Sequence, residues 1–201
     1  MSVPLRLLNV KCSVKFRATA AASVKSPERK SNIISRRLII PEHGRVTACA
    51  FISASVSRVS HLNISGLKSD VLTNELKQHC EALPFVHCIE WNTFKVDNIT
   101  AIGQLGREHL RAFGSRIAER FTTHSNFEKF PATFLRKRKD IRSDCVKCEN
   151  LILGARGHIL LFRSAKAIVT GGKKLSHLEY LFSLLHNVLR SSDGQGCHSR
   201  V

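Results

Sequence analysis

The sequence predicts an α+β fold made of two similar halves, each a small antiparallel sheet with helices against it. Three observations point there. The stretch His158–Lys174 holds two short apolar, β-prone runs around the polar turn Arg163-Ser164-Ala165-Lys166, which is a β-hairpin pattern, and a helix pattern over Leu175–Arg190 follows at once. The order strand, helix, strand, long turn, hairpin, helix occurs twice along the chain. Short matches fall at corresponding places: Leu8-Asn9-Val10 with Asp97-Asn98-Ile99, Ala50-Phe51-Ile52-Ser53 with Leu161-Phe162-Arg163-Ser164, and Asn63–Lys68 with Ile168–Lys173. The offsets are 89, 111 and 105 residues, so an internal duplication of about 90–100 residues needs loop insertions, and its period exceeds that of solenoid repeats. The halves are set at 1–92 and 93–191, with 192–201 a polar, disordered tail.

In order, Leu5–Phe16 partly alternates and reads as a strand, and Ala18–Val24 is a short Ala-rich helix. Ser26–Ser31 is a loop. Ile33–Ile40 and Val46–Ser53 are strands around the turn Pro41-Glu42-His43-Gly44. After a Ser-rich stretch, His61–Ser65 resumes a strand that Gly66 ends. Asp70–Leu83 is a helix with Val71, Leu72, Leu76, Cys80 and Leu83 on one stripe, closed by Pro84. The order restarts with the strand Thr93–Gly103 and the helix Arg107–Phe121, where Leu110, Phe113, Ile117 and Phe121 recur three or four apart. Phe130–Leu135 is a strand that enters the basic run Arg136–Lys139, and a long polar connection leads to the last hairpin. In that hairpin a period of two puts Leu160, Phe162, Ile168 and Thr170 on one face and Leu161, Ala167 and Val169 on the other.

The 201 residues are 43% hydrophobic, enough for a packed core. Net charge is +17, and both halves are basic: 13 Lys and Arg against 6 acids in 1–92, then 19 against 9 in 93–201. A cationic excess spread this way suits a polyanion lying along the molecule, nucleic acid first and an anionic membrane surface second. No apolar run reaches the roughly 20 residues of a membrane span. Seven Cys without framework spacing indicate a reducing compartment. Residues 1–27 are basic, Ser- and Ala-rich and free of acids, a composition that fits a transit peptide as well as the first strand of a repeat.

The paired halves resemble the two-repeat core of the TATA-box-binding protein (TBP) family. Phe94-Lys95-Val96-Asp97-Asn98-Ile99 matches the family's first strand, Phe130-Pro131 its second, Leu160–Lys166 its third strand and turn, and Val169-Thr170-Gly171-Gly172-Lys173 its fourth. The first half keeps Asn9, Phe51 and Ser65-Gly66-Leu67-Lys68, with Ile33 or Ile34 where the family has Phe. The resemblance covers about residues 3–191. It implies a TBP-like saddle: ten antiparallel strands in a curved sheet, four helices on the convex back, and a concave face in the minor groove of A/T-rich double-stranded DNA. The minor-groove wedge that kinks DNA is the known mode of that family.

The resemblance also implies the site. Asn9 and Asn98 would donate near the pseudo-dyad, and Ser65 and Thr170 from the hairpin strands. Cys49, Leu160 and Ile168 would give apolar contact. Phe130 and Phe162 would wedge between base steps at one end, and Phe51 with Ile33 or Ile34 at the other. Lys and Arg at the flanks would hold phosphates. Ser65 and Thr170 serve equally well as caps for the helices that follow. Three departures stand out: Lys11 and Asn63 stand where the family has Val on the DNA face, and Thr100 stands at the matching place in the second half, so strict TATA reading does not follow. The long stretch 139–158 corresponds to the stirrup on which transcription factor IIB docks through acidic residues. Here the region is basic, with Arg136–Lys139, Arg142 and Lys147, which does not suit that docking.

Two other classes compete. One is a saddle-fold regulatory protein that binds transcription factors, or DNA without reading TATA. The other is an enzyme, but the 15 acids are scattered, and no nucleophile triad or Gly-rich phosphate loop stands out. Cys145-Val146-Lys147-Cys148 is half a zinc site with no second pair at finger spacing, although His158, Cys197 and His198 are candidate outside ligands. The expectation is therefore a nuclear, non-enzymatic transcription initiation factor without cofactor or metal. General transcription factors or RNA polymerase would be its protein partners, with no membrane.

Overall fold

The structure is a computed structural model and describes residues 4–23, 31–53, 59–106, 115–125, 128, 131–138 and 157–190. Among them are nine strands and four helices. In chain order these are β1 (Arg6–Ala18), α1 (Ala20–Ser23), β2 (Ser31–Ile40), β3 (Gly44–Ser53), β4 (Ser60–Leu67), α2 (Asn74–Glu81), β5 (Val86–Gln104), α3 (Ser115–Arg120), β6 (Phe121–Ser125), β7 (Ala132–Lys137), β8 (His158–Phe162), β9 (Lys166–Gly172) and α4 (Leu175–Arg190).

The chain divides into two compact units. The first is Leu7–Ile99, and the second is Thr100–Val201 with Met1–Arg6. In the first unit the strand order is β2-β3-β4-β1-β5, and in the second it is β5-β9-β8-β7-β6. The long strand β5 runs from one unit into the other, at Ile99 to Thr100. Hairpin pairings such as Ile33↔Phe51 and Leu160↔Ile168 are antiparallel.

In each unit one sheet face is apolar and packed. In the first, Val10, Cys12, Val14 and Phe16 of β1, Ala48, Ala50 and Ile52 of β3, and Leu62 and Ile64 of β4 are buried, with Leu76 and Cys80 of α2. Phe16 also meets Phe85 edge-on, with ring centroids 6.2 Å apart. In the second, Leu135, Ile159, Leu161, Ala167 and Val169 are buried with Leu178, Leu181, Phe182, Leu185 and Leu189, the inner stripe of α4. Gly103 of β5 admits this packing, since a Cβ there would collide with the Phe182 ring.

Several boundaries differ from the sequence reading. The helix expected over Asp70–Leu83 starts at Asn74, because Thr73 is its N-cap and its Oγ1 accepts from the Leu76 N–H at 3.2 Å. Before it, Ser69 Oγ accepts from Val71 N–H at 3.1 Å, a local turn that competes with helix. Phe121, expected to end a helix, instead opens β6: its backbone pairs with Lys137, and Thr122-Thr123 behind it favour a strand. Of that expected helix, Ser115–Arg120 is described. β5 begins at Val86 rather than Thr93, and Ile89-Glu90-Trp91-Asn92 already alternates apolar with polar. The tail after Ser191 and most of the 139–158 stretch lie outside the described residues.

Candidate nucleic-acid interface

Successive strand residues point to opposite faces, so packing one face of each unit fixes what stands on the other. In the first unit the outward residues form cross-strand rows. Ile33 of β2 lies opposite Phe51, Phe51 opposite His61, and His61 opposite Lys15. The next row is Ser35, Cys49, Asn63 and Ser13, of which Ser13 is buried. The third is Arg37, Thr47 and Ser65. The second unit has a comparable set. Ala132 lies opposite Phe162. His124, Phe134, Leu160 and Ile168 make the next row. Thr122, Arg136, His158 and Thr170 make the third.

The expected residues are placed as follows. Cys49, Phe51 and Ser65 share the outward face of the first unit; Phe51 is exposed, and Cys49 and Ser65 are half-buried. Leu160, Phe162, Ile168 and Thr170 share the outward face of the second, each half-buried, while their neighbours Ile159, Leu161, Ala167 and Val169 are buried. Of the two isoleucines, Ile33 stands on the outward face, 64% exposed and opposite Phe51, whereas Ile34 is opposite the buried Ala50. Asn98 alternates with the buried Ile99 and so stands on the outward side of β5, in a strand that neighbours β1. Phe130, Cys145 and Cys148 lie outside the described residues.

Asn9 is held by a local device. Val10 pairs with Leu67 and Cys12 with Ile64, so β4 carries one residue more than β1 between these pairs, a β-bulge. Gly66 sits in it with φ +97°, a left-handed conformation that suits glycine. Its N–H donates to Asn9 Oδ1 at 2.6 Å. That bond commits the amide oxygen and leaves the Nδ2 hydrogens as donors, the polarity needed toward the A·T acceptors of a minor groove. In the second unit Gly171 follows Thr170 with φ +92°. The hydroxyls of Thr170 and Thr100 are 2.8 Å apart and hydrogen-bonded.

Several residues on these faces were not singled out from the sequence. Phe134 stacks on His158, with centroids 4.6 Å apart and planes at 26°. Burial, and then the Arg136 charge, lowers the His158 pKa from its ordinary 6.5, so the ring is neutral at pH 7. Thr47, Ser35 and Arg37 were missed as well. Period two from a buried neighbour is the signal that finds each of them, but it needs the strand's inner face to be known first. The basic run also resolves. Arg136 points outward, whereas Lys137 lies over the Tyr180 ring of α4 at 5.7 Å with its pKa lowered by burial, and Arg138 Nη1 donates to the Ala118 carbonyl at 3.2 Å. Cys12 and Cys80 have thiol pKa values pushed up to about 12, chiefly by burial, and act as core groups.

Among the described residues no group of three or more His, Cys, Asp and Glu side chains could hold a metal, and no helix is long and apolar enough to cross a membrane. No family model matches the chain, and no curated protein matches it in sequence. Fold comparison does find a match. The chain is similar to the solved structure of Methanococcus jannaschii TBP with a TM-score of 0.58 and 20% identity, over 93% of this chain and 98% of that one. The chain therefore has a TBP-like fold.

Proposed function

We propose that the protein is a DNA-binding transcription initiation factor of TBP type, which lays the outward faces of its two units in the minor groove of A/T-rich promoter DNA and bends it. In this reading the units are two copies of one ancestral repeat, the sheet forms a saddle with helices on its convex back, and the protein acts in the nucleus. The observation that carries it is the matching register of the two outward faces. Arg37–Thr47–Ser65 in one unit corresponds to Arg136–His158–Thr170 in the other, and each hydroxyl residue precedes a left-handed glycine. Phe51 and Phe162 occupy the same place, two rows away, where a wedge into a base step would stand. A basic excess in both halves supports a duplex phosphate backbone as the partner.

Asn9 and Asn98, Ser65 and Thr170 are the assigned donors. Cys49, Leu160 and Ile168 are the contact surface, and Phe51, Phe130 and Phe162 the wedges. No catalytic role is assigned. A second reading rests on one observation, the polar row Ser35, Cys49, Asn63 and Ser13: a saddle-fold regulator that binds DNA or transcription factors without reading TATA. A salt titration by gel shift on A/T-rich and random duplexes separates the two. The TBP-type reading expects selective, salt-dependent binding; equal affinity for both duplexes favours the regulator. Energy transfer across the bound duplex should show a bend that Phe162→Ala reduces more than it reduces non-specific binding. An unchanged bend removes Phe162 as a wedge. Asn98→Ala should cost about 1–3 kcal/mol of discrimination and leave the salt slope alone.

A further inference from the structure

Resting on the minor-groove reading above, we infer that the two units read different base pairs: the second unit requires A·T, whereas the first unit accepts a G·C pair through Asn63. The argument begins with what the groove displays. A·T and T·A pairs show only acceptors there, and a G·C pair adds one donor, the guanine N2 amino group. A protein face pressed on that amino group must offer an acceptor or leave a buried donor unsatisfied, which costs about 1–3 kcal/mol.

The two middle rows differ on this point. In the second unit the row is Phe134, Leu160 and Ile168, with His124 at its edge. Its three central side chains offer no acceptor, so a guanine amino group lying on them has no partner. In the first unit the same row is Ser35, Cys49, Asn63 and Ser13. Asn63 stands at its centre, with Cys49 directly opposite on one side and Ser13 on the other. Its side chain is half-buried and makes no hydrogen bond among the described residues. The amide is thus free to turn either end outward. Its Oδ1 accepts from guanine N2–H, and its Nδ2 donates to the neighbouring N3 or O2 acceptor.

The surroundings point the same way. No carboxylate stands on β1, β2, β3 or β4, so Asn63 Oδ1 is the strongest side-chain acceptor in the middle row. Lys11 and Lys15 on the same face of β1 are exposed and supply donors only, which serve phosphates or the acceptors shared by all pairs. Asn9 Oδ1 already accepts from Gly66 N–H, which leaves it the weaker competitor for the amino group.

The test uses the full chain and three duplexes of equal length: A·T throughout, G·C in one half-site, and G·C in both. A duplex presents the same phosphate backbone in both directions, so the one-half duplex lets the protein place G·C under the unit that tolerates it. Wild type should bind the one-half duplex at least as tightly as the all-A·T one, and the two-half duplex about tenfold or more weaker. Asn63→Val should lower the affinity ratio of one-half to all-A·T by about tenfold. Ile168→Asn should raise the ratio of two-half to one-half, and this opposite direction cannot come from misfolding. If wild type binds the one-half duplex tenfold more weakly than the all-A·T one, the inference fails while the minor-groove reading stands. If wild type binds all three duplexes equally, the minor-groove reading itself fails and the inference falls with it.

Discussion

The outward faces of the two units carry the same register and differ in chemistry at the middle row. Ser35, Cys49, Asn63 and Ser13 occupy the row that in the second unit is Phe134, Leu160 and Ile168 with His124. One step inward the contrast disappears. Ile64 and Leu62 in the first unit, and Val169 and Ala167 in the second, are all buried against helices or strands. The inner face is constrained by packing, which requires apolar side chains whatever the protein binds. The outward face is free of that packing demand, so it can diverge without loss of the fold. The TBP-like fold at 20% identity is compatible with that freedom.

The largest expected effect breaks the contrast between faces. Leu161 is 3% exposed and packed inward, while Leu160 beside it faces out. Leu161→Ala should destabilise the protein by about 2–5 kcal/mol, and Leu160→Ala by less than about 1.5 kcal/mol, measured by chemical denaturation. Equal losses would mean that the outward row is packed core, and the reading of it as a contact surface would go.

A smaller effect tests the bulge that aims Asn9. A Cβ at Gly66 would lie 2.7 Å from the Arg45 carbonyl oxygen, at a φ of +97°. Gly44 has a similar φ of +74° with nothing near the Cβ position. Gly66→Ala should therefore cost about 1–3 kcal/mol, and Gly44→Ala about 1 kcal/mol. The excess at Gly66 measures the crowding of the bulge. Loss of A/T selectivity in Gly66→Ala beyond that in Gly44→Ala would tie the bulge to the aim of Asn9.

How much of this was legible depends on how regular each segment is. The hairpin His158–Gly172 and the helix Leu175–Arg190 follow a strict period, and both faces of the hairpin come out as the alternation indicates. α2 was placed but drawn too long, because Val71 and Leu72 extend its apolar stripe past the cap that Thr73 supplies. The first seven residues of β5 were not read as strand, although Ile89 and Trp91 alternate with Glu90 and Asn92. They are held partly by the Trp91 indole N–H donating to Glu81 at 2.6 Å and by Trp91 against Phe94, contacts no periodicity reveals. Asn63 was legible as a polar residue in an apolar place. Cys49 beside it was expected on the same face, but Ser35 and Ser13 were not, since cross-strand register depends on turn geometry and on the bulge at Gly66. Phe134 was hidden for the same reason: only pairing with Leu160 and stacking on His158 set it on the outward face.

The smallest effect concerns that stack, which has no counterpart in the first unit, where Thr47 stands opposite Arg37 as His158 stands opposite Arg136. The His158 pKa is lowered from 6.5 by burial and then by Arg136, so the folded protein holds the ring neutral where the unfolded chain would begin to protonate it. Between the two pKa values the unfolded state binds more protons, so stability rises with pH through that window and falls as pH drops below about 6.5. The ring's titration, followed by its proton chemical shifts, should have a midpoint below 6.5, and Arg136→Gln should move that midpoint upward. Phe134→Ala, which opens the ring to water, should also raise it, by relieving the larger of the two causes. If Arg136→Gln moved the midpoint further than Phe134→Ala did, charge rather than burial would dominate. The face would then be wetter than the apolar row Phe134, Leu160 and Ile168 implies, and the contrast with the first unit would shrink accordingly.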